Sequence, residues 1–183
     1  MKNKTLVLNI ISVAVSLLLV GIDQLTKWLT VTYLKPLGSV PLIKIGDTEW
    51  LNLTYCENTG MSFSLLEGQR FILIAIPVIL IILVEWYIFS GRVKTKKMLF
   101  ALAALAGGGL GNLIDRVFLG YVVDFIDVRI INFAIFNFAD ICAVLGGIFI
   151  IILVIFEDIK ESREKKAASS AEEAAEESVN KDE

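Results

Sequence analysis

Apolar residues are unevenly spread along this chain of 183 residues: they gather into four long runs, separated by stretches where polar and apolar positions alternate or mix. Residues 5–22 carry no charge, residues 71–91 only Glu85, and residues 98–114 none; residues 141–156 form a fourth run, which the apolar stretch 130–139 extends outward. A helix rises about 1.5 Å per residue, so about 20 apolar residues cross the roughly 30 Å hydrocarbon core of a bilayer. The pattern predicts four transmembrane helices, at about residues 5–26, 70–90, 97–115 and 138–157.

The period changes between the first two runs. In Trp50-Leu51-Asn52-Leu53-Thr54-Tyr55 the apolar Leu51, Leu53 and Tyr55 share one face; Asn58-Thr59-Gly60 then supplies turn chemistry, and Met61-Ser62-Phe63-Ser64-Leu65 alternates again. Alternation bounded by turn residues predicts a small β-structure over about residues 40–66. It is either an ordered cap over the bundle or a cradle whose free backbone edge accepts an extended peptide. The connection 116–137 is apolar but broken by charges and amides, and its middle reads as an amphipathic element lying in the membrane interface.

Charge gives the orientation. Basic residues cluster at Lys2 and Lys4, in the short link holding Arg92, Lys94, Lys96 and Lys97, and after the fourth run at Lys160, Arg163, Lys165 and Lys166. By the positive-inside rule these three places are cytoplasmic, both termini lie inside, and the two longer connections face outward. The first run also looks like a signal peptide, but no A-x-A site follows and Asp23-Gln24-Leu25-Thr26-Lys27 continues as helix, so it reads as a retained span. Net charge is −3, yet ten of the twenty acidic residues lie from Glu157 onward with only five of the seventeen basic ones. The acidity therefore belongs to a tail, residues 158–183, expected to be disordered or marginally helical for want of an apolar face.

Composition narrows the chemistry. A 56% apolar content and a mean hydropathy of +0.72 argue against a water-soluble domain. Histidine is absent, which removes Ser-His-Asp and Cys-His catalysis and His-ligated zinc or haem. Cys56 and Cys142 form no CxxC pair and read as small apolar residues. Carboxylates, amides and basic side chains remain. The third run ends Gly107-Gly108-Gly109-Leu110-Gly111-Asn112-Leu113-Ile114-Asp115-Arg116, where helical spacing puts Asn112, Asp115 and Arg116 on one face and the glycines permit close helix approach. Asn137 and Asp140 share a face at the start of the fourth helix, and Asp124 lies among apolar neighbours in the second outward connection.

Each of these has an ordinary reading: a helix cap for Asp140, close packing for the glycines, an i, i+4 ion pair for Asp23 and Lys27. Topology nevertheless brings Asp115, Asp124 and Asp140 to one membrane face with two asparagines. Two carboxylates close together in a partly apolar site share one proton, so one acts as base toward water while its protonated partner polarises a peptide carbonyl. Such a site needs no metal or cofactor. A Mg²⁺-dependent phospholipid transferase is a competing reading of several aspartates, as is a proton-coupled transporter, although no inverted repeat is visible.

With these residues in view, the chain resembles the lipoprotein signal peptidases, also called signal peptidase II, over nearly its whole length except the tail. The matches are Asp23 with Lys27, Asn58-Thr59-Gly60 with Phe63 and Ser64, Gly108 through Arg116, Val122-Val123-Asp124-Phe125, and Phe136-Asn137-Phe138-Ala139-Asp140. The resemblance implies an all-α membrane protein of four transmembrane helices with a small extracytoplasmic β-cradle and a short interfacial helix. It also implies a peptidase unit over residues 1–157, including the outward loop 116–137. The implied catalytic dyad is Asp124 and Asp140, supported by Asn58, Gly60, Asn112, Asp115, Arg116 and Asn137, with Asp23 and Lys27 beside them. The implied activity is cleavage of bacterial prolipoproteins before a diacylglyceryl-modified cysteine, in the cytoplasmic membrane with the site at its outer face. Inhibition by globomycin-type peptides, a monomer, contact with membrane lipid and no nucleic-acid partner complete the expectations. Met61-Ser62 departs from the small residues familiar after Asn58-Thr59-Gly60.

Overall fold

A computed structural model describes residues 2–60, 68–93, 95–131 and 133–179. The first helix, α1 (Lys2–Leu29), widens into a π-helical turn at Thr30–Leu34. The chain reverses at Gly38, whose φ of 74° is open to glycine, and enters β1 (Ser39–Ile45). A turn at Gly46-Asp47 leads to β2 (Thr48–Asn58), and α2 (Arg70–Phe89) and α3 (Lys96–Phe118) follow. Next come β3 (Val122–Val128), a 3-10 turn at Arg129–Ile131, and α4 (Phe138–Val179).

The molecule is mostly helical. Four helices are long and apolar enough to cross a membrane, and α3 is the central one, packing against α1, α2 and α4. Its small residues explain why. A Cβ on Gly111 would lie 2.5 Å from Asp23 Oδ2, one on Gly146 of α4 2.7 Å from the Leu105 nitrogen, and one on Gly108 would collide with the Ala139 carbonyl. Close approach therefore depends on these glycines. Ser16 Oγ adds a hydrogen bond of 3.0 Å to the Ala103 carbonyl across the α1–α3 contact. The outer flanks of α1, α2 and α4 instead expose large apolar side chains such as Leu17, Leu18, Ile79, Ile82, Phe149 and Ile151, a surface suited to lipid.

The strands form one antiparallel sheet in the order β1-β2-β3. The alternation read in Trp50–Tyr55 falls within β2, whereas that in Met61–Leu65 lies outside the described residues. The connection 116–137 differs from expectation. It supplies β3, and the one helical piece in its described residues between α3 and α4 is the single 3-10 turn. The reason is pairing: Val122, Val123, Phe125, Ile126 and Val128 suit a strand, and β2 offers the edge. One extra residue in β2, between Leu53 (opposite Ile126) and Cys56 (opposite Asp124), bulges the ladder beside Asp124. Arg129 laces the strands through Glu49, Asp127 and Ser39, while Lys35 ties the end of α1 to Glu57. Toward its other end α4 continues as helix to Val179, through a stretch rich in the helix formers Ala, Glu and Lys, with i, i+4 pairs Lys160–Glu164 and Glu161–Lys165.

Candidate active site

The polar residues singled out in the sequence converge where α1, α3, β3 and the start of α4 meet. Lys27 is buried and its ammonium is fully engaged, 2.9 Å from each of Asp23 Oδ2, Asp115 Oδ2 and Asn112 Oδ1. Asp23 Oδ1 accepts from the Ala139 backbone N–H at 3.0 Å, tying α1 to α4; Asp115 Oδ2 accepts from the Val123 N–H at 3.1 Å, tying α3 to β3. The i, i+4 ion pair is thus a junction between elements, and its buried charges are tolerable because each carboxylate oxygen and each ammonium proton has a partner.

Asn137 caps α4. Its side-chain oxygen accepts from the Asp140 N–H at 2.9 Å, while Asp140 Oδ2 accepts from the Asn137 N–H at 3.0 Å, a reciprocal capping arrangement. The capping role of Asp140 leaves its other oxygen free for Asn112, whose Nδ2 donates to Oδ1 at 2.7 Å. Asn137 Nδ2 in turn donates to Asn112 Oδ1 at 3.0 Å and to Asp124 Oδ1 at 2.6 Å. Asn58, on β2, donates to Asp124 Oδ2 at 2.9 Å and accepts from the Gly60 N–H; the Gly60 carbonyl accepts from Arg116 Nη2 at 3.0 Å. All ten predicted residues therefore belong to one network.

Asp124 and Asp140 both line a cavity of about 320 Å³ between α2, α3 and α4. Asn58, Asn112 and Arg116 form the rest of its polar end, and Ile76, Leu80, Ile81, Leu105 and Ala106 wall its apolar length. The buried Nε of Arg116 has no partner among the described residues. Burial is the main force pushing the Asp124 carboxyl up to about 6; the charge of Asp140 adds to it, and the Asn58 and Asn137 donors and Lys27 oppose it. Among the described residues no group of three or more Cys, Asp or Glu side chains is placed to hold a metal ion. Cys56, opposite Asp124 in the sheet, is half-buried, and burial pushes its thiol up, away from nucleophilic character.

The order of these residues along the chain and their joint geometry can be set beside known proteins. Residues 15–156 match the family model for signal peptidase (SPase) II. The chain belongs to the signal peptidase II family. It is 42% identical over 139 residues to the lipoprotein signal peptidase of Caldanaerobacter subterraneus subsp. tengcongensis, covering 75% of this chain and 91% of that one. With the lipoprotein signal peptidase of Streptococcus pneumoniae identity is 38% over 143 residues, covering 78% and 91% of the two chains. Two solved structures of a bacterial membrane enzyme share the fold. One has a TM-score of 0.68 at 33% identity, covering 80% of this chain and 88% of that one; for the other the values are 0.64, 34%, 78% and 91%.

Every site residue falls inside the stretch matched to signal peptidase II. Two contributors escaped the sequence reading. Gln24 Nε2 donates to Asp115 Oδ1, Asp23 Oδ2 and the Gly111 carbonyl at 3.0–3.2 Å, joining the acidic pair from outside. Its position between Asp23 and Lys27 was the available signal, but one amide on a helix has no periodicity to give it away. The α2 side chains of the cavity were equally silent, because Ile76 and Leu80 look like any lipid-facing residues.

Proposed function

We propose that this protein is an aspartic endopeptidase of the bacterial cytoplasmic membrane that removes signal peptides from prolipoproteins, cutting before a diacylglyceryl-modified cysteine. The reading is carried by one observation: Asp124 and Asp140 come from different elements to the same end of an apolar cavity, joined through the Asn112–Asn137 amide pair. A pair sharing one proton suffices for hydrolysis. The ionised carboxyl takes a proton from water as the water oxygen bonds to the scissile carbonyl carbon, and the protonated carboxyl hydrogen-bonds, then protonates, the carbonyl oxygen. Collapse of the tetrahedral intermediate breaks the C–N bond and sends a proton to the leaving amine, giving a new carboxylate and the amino group of the lipidated cysteine. Asp115, Arg116, Asn58 and Gly60 hold the dyad and the adjacent chain in place, which matters because small misplacements of reacting groups are costly.

In this reading the four helices are transmembrane, the termini are cytoplasmic and the site sits at the outer interface. The sheet serves as a cradle, the 3-10 turn as an interfacial element, residues 1–157 as the peptidase unit and residues 158–183 as a dispensable tail. The enzyme acts as a monomer, and globomycin-type cyclic peptides block the cavity. The test is cleavage of a lipid-modified prolipoprotein in detergent by wild type, Asp124→Asn and Asp140→Asn. Each substitution is expected to lower kcat by at least about 10³-fold with insertion intact. Substantial turnover by either folded variant would sink the dyad.

A further inference from the structure

The two asparagines between the aspartates are useful only with their amides turned the right way, and an amide is nearly symmetric in shape. Asn137 is oriented by a backbone group: its oxygen faces the Asp140 N–H, a donor that cannot accept, so its Nδ2 must point to Asp124 and Asn112. Asn112 has no backbone partner of this kind on its oxygen. That oxygen instead meets Lys27 Nζ at 2.9 Å and Asn137 Nδ2 at 3.0 Å. A lysine ammonium has three donors and no acceptor, so only a carbonyl satisfies it. Were Asn112 reversed, its NH₂ would face the ammonium and the NH₂ of Asn137, and its carbonyl would face the Asp140 carboxylate in place of the present 2.7 Å donor contact. Lys27 cannot turn away to allow this, because Asp23 and Asp115 pin it on its other two sides, each at 2.9 Å.

We infer that Lys27 is a positioning residue for the reaction: by donating to the Asn112 carbonyl it fixes the direction of the amide relay Lys27→Asn112→Asp140, and with it holds Asn112 Oδ1 as the acceptor for Asn137 Nδ2. Lys27 makes no hydrogen bond to Asp124 or Asp140; its direct partner toward the dyad is Asn112. Its ion pairs with Asp23 and Asp115 hold the ammonium at the one place from which it orients an amide. The chain Lys27–Asn112–Asn137 thereby presents an N–H to the Oδ1 atoms of both aspartates at once. This goes beyond charge pairing, because a neutral donor at the same place would preserve the relay and a neutral non-donor would not.

The inference rests on the aspartic-dyad reading, and the experiment separates the two. Prolipoprotein cleavage is measured for the purified full chain as wild type, Lys27→Met and Lys27→Gln, each also in an Asn112→Ala background, with thermal unfolding reporting the folded fraction. Lys27→Met is expected to lower kcat about 100-fold while KM moves less than about threefold, because orientation is lost and binding is not. Lys27→Gln keeps a donor without the charge and is expected to retain at least about a tenth of wild-type kcat. In the Asn112→Ala background, with no amide to orient, the Met and Gln variants should agree within about twofold. Equal kcat for the two variants in the native background, or the same gap between them in the Asn112→Ala background, overturns the inference. If Lys27→Met does not insert, the comparison is made with Asp23→Asn/Lys27→Met and Asp23→Asn/Lys27→Gln, which remove a carboxylate with the cation. A wild type that does not cleave, or an active Asp124→Asn, would instead defeat the dyad reading itself.

Discussion

Asp124 is 1% exposed, with its carboxyl pushed from 3.8 to about 6, chiefly by burial. This has two consequences of defined sign. A carboxyl whose folded pKa lies above its unfolded value supports folding fully below the unfolded pKa, and that support is lost as pH rises through the folded one. The window here runs from about pH 4 to about pH 6, and two pKa units correspond to about 2–3 kcal/mol. Denaturation of wild type against Asp124→Asn should therefore show the difference moving by about this amount in favour of the variant between about pH 4 and pH 7.5. A pH-independent difference would show that burial does not disfavour the charge. Activity follows the same group in the same direction. The value belongs to Asp124 beside an ionised Asp140, so as pH rises through about 6 the proposed dyad loses its shared proton, and with it its acid, and kcat/KM should fall on a basic limb there. The key residues were legible in the sequence for the same physical reason that makes Asp124 costly: an ionisable group at the end of a span needs an explanation. Gln24 carries no such signal, being neutral and cheap to place.

At the scale of elements, glycine sets how near the carboxylates come. Gly111 and Gly108 lie on α3 but answer to different neighbours: a Cβ on the first meets the Asp23 carboxylate, one on the second meets α4 backbone at Ala139 and Ala143. Gly109 faces Ile81 of α2 at an ordinary 3.4 Å. Ala substitutions should therefore separate. Gly108→Ala cannot be absorbed by a side-chain movement and is expected to cost about 2 kcal/mol or more in stability. Gly111→Ala displaces Asp23 from Lys27 and should lower activity more than stability, whereas Gly109→Ala should change stability by less than about 1 kcal/mol. Thermal unfolding paired with cleavage rates checks the order, and a Gly108→Ala protein as stable as Gly109→Ala would refute it. The glycine cluster could be read as a close-packing device from the sequence. The strand β3 could not: its partner β2 lies more than 60 residues upstream, and the bulge beside Asp124 depends on a register that neither segment contains alone.

The whole molecule adds an entrance. Helix α2 packs on α3 but hardly meets α4, so the cavity is not closed by a ring of helices. Two of its wall residues show where it opens: Ile76 and Leu80 line the cavity yet remain 47% and 55% exposed on the lipid-facing surface. On the proposed function, an apolar slot of this kind, with carboxylates at one end, would admit a lipid-anchored substrate from the same bilayer without lifting its acyl chains into water. Transfer of those chains to water would cost about 0.8 kcal/mol per CH₂. The slot was invisible in the sequence because a wall of Ile and Leu facing a cavity has the composition of a wall facing lipid. Leu80→Trp is then the decisive substitution. It should raise KM for a lipid-modified prolipoprotein about tenfold by narrowing the slot, while kcat and the unfolding temperature change little, since no buried contact is lost. Ile79→Trp, one residue away, 56% exposed and outside the cavity lining, is the matched control and should leave KM unaltered. Equal effects from the two tryptophans would mean that bulk on α2 acts through the bilayer; an effect confined to Leu80 would locate substrate entry between α2 and α4.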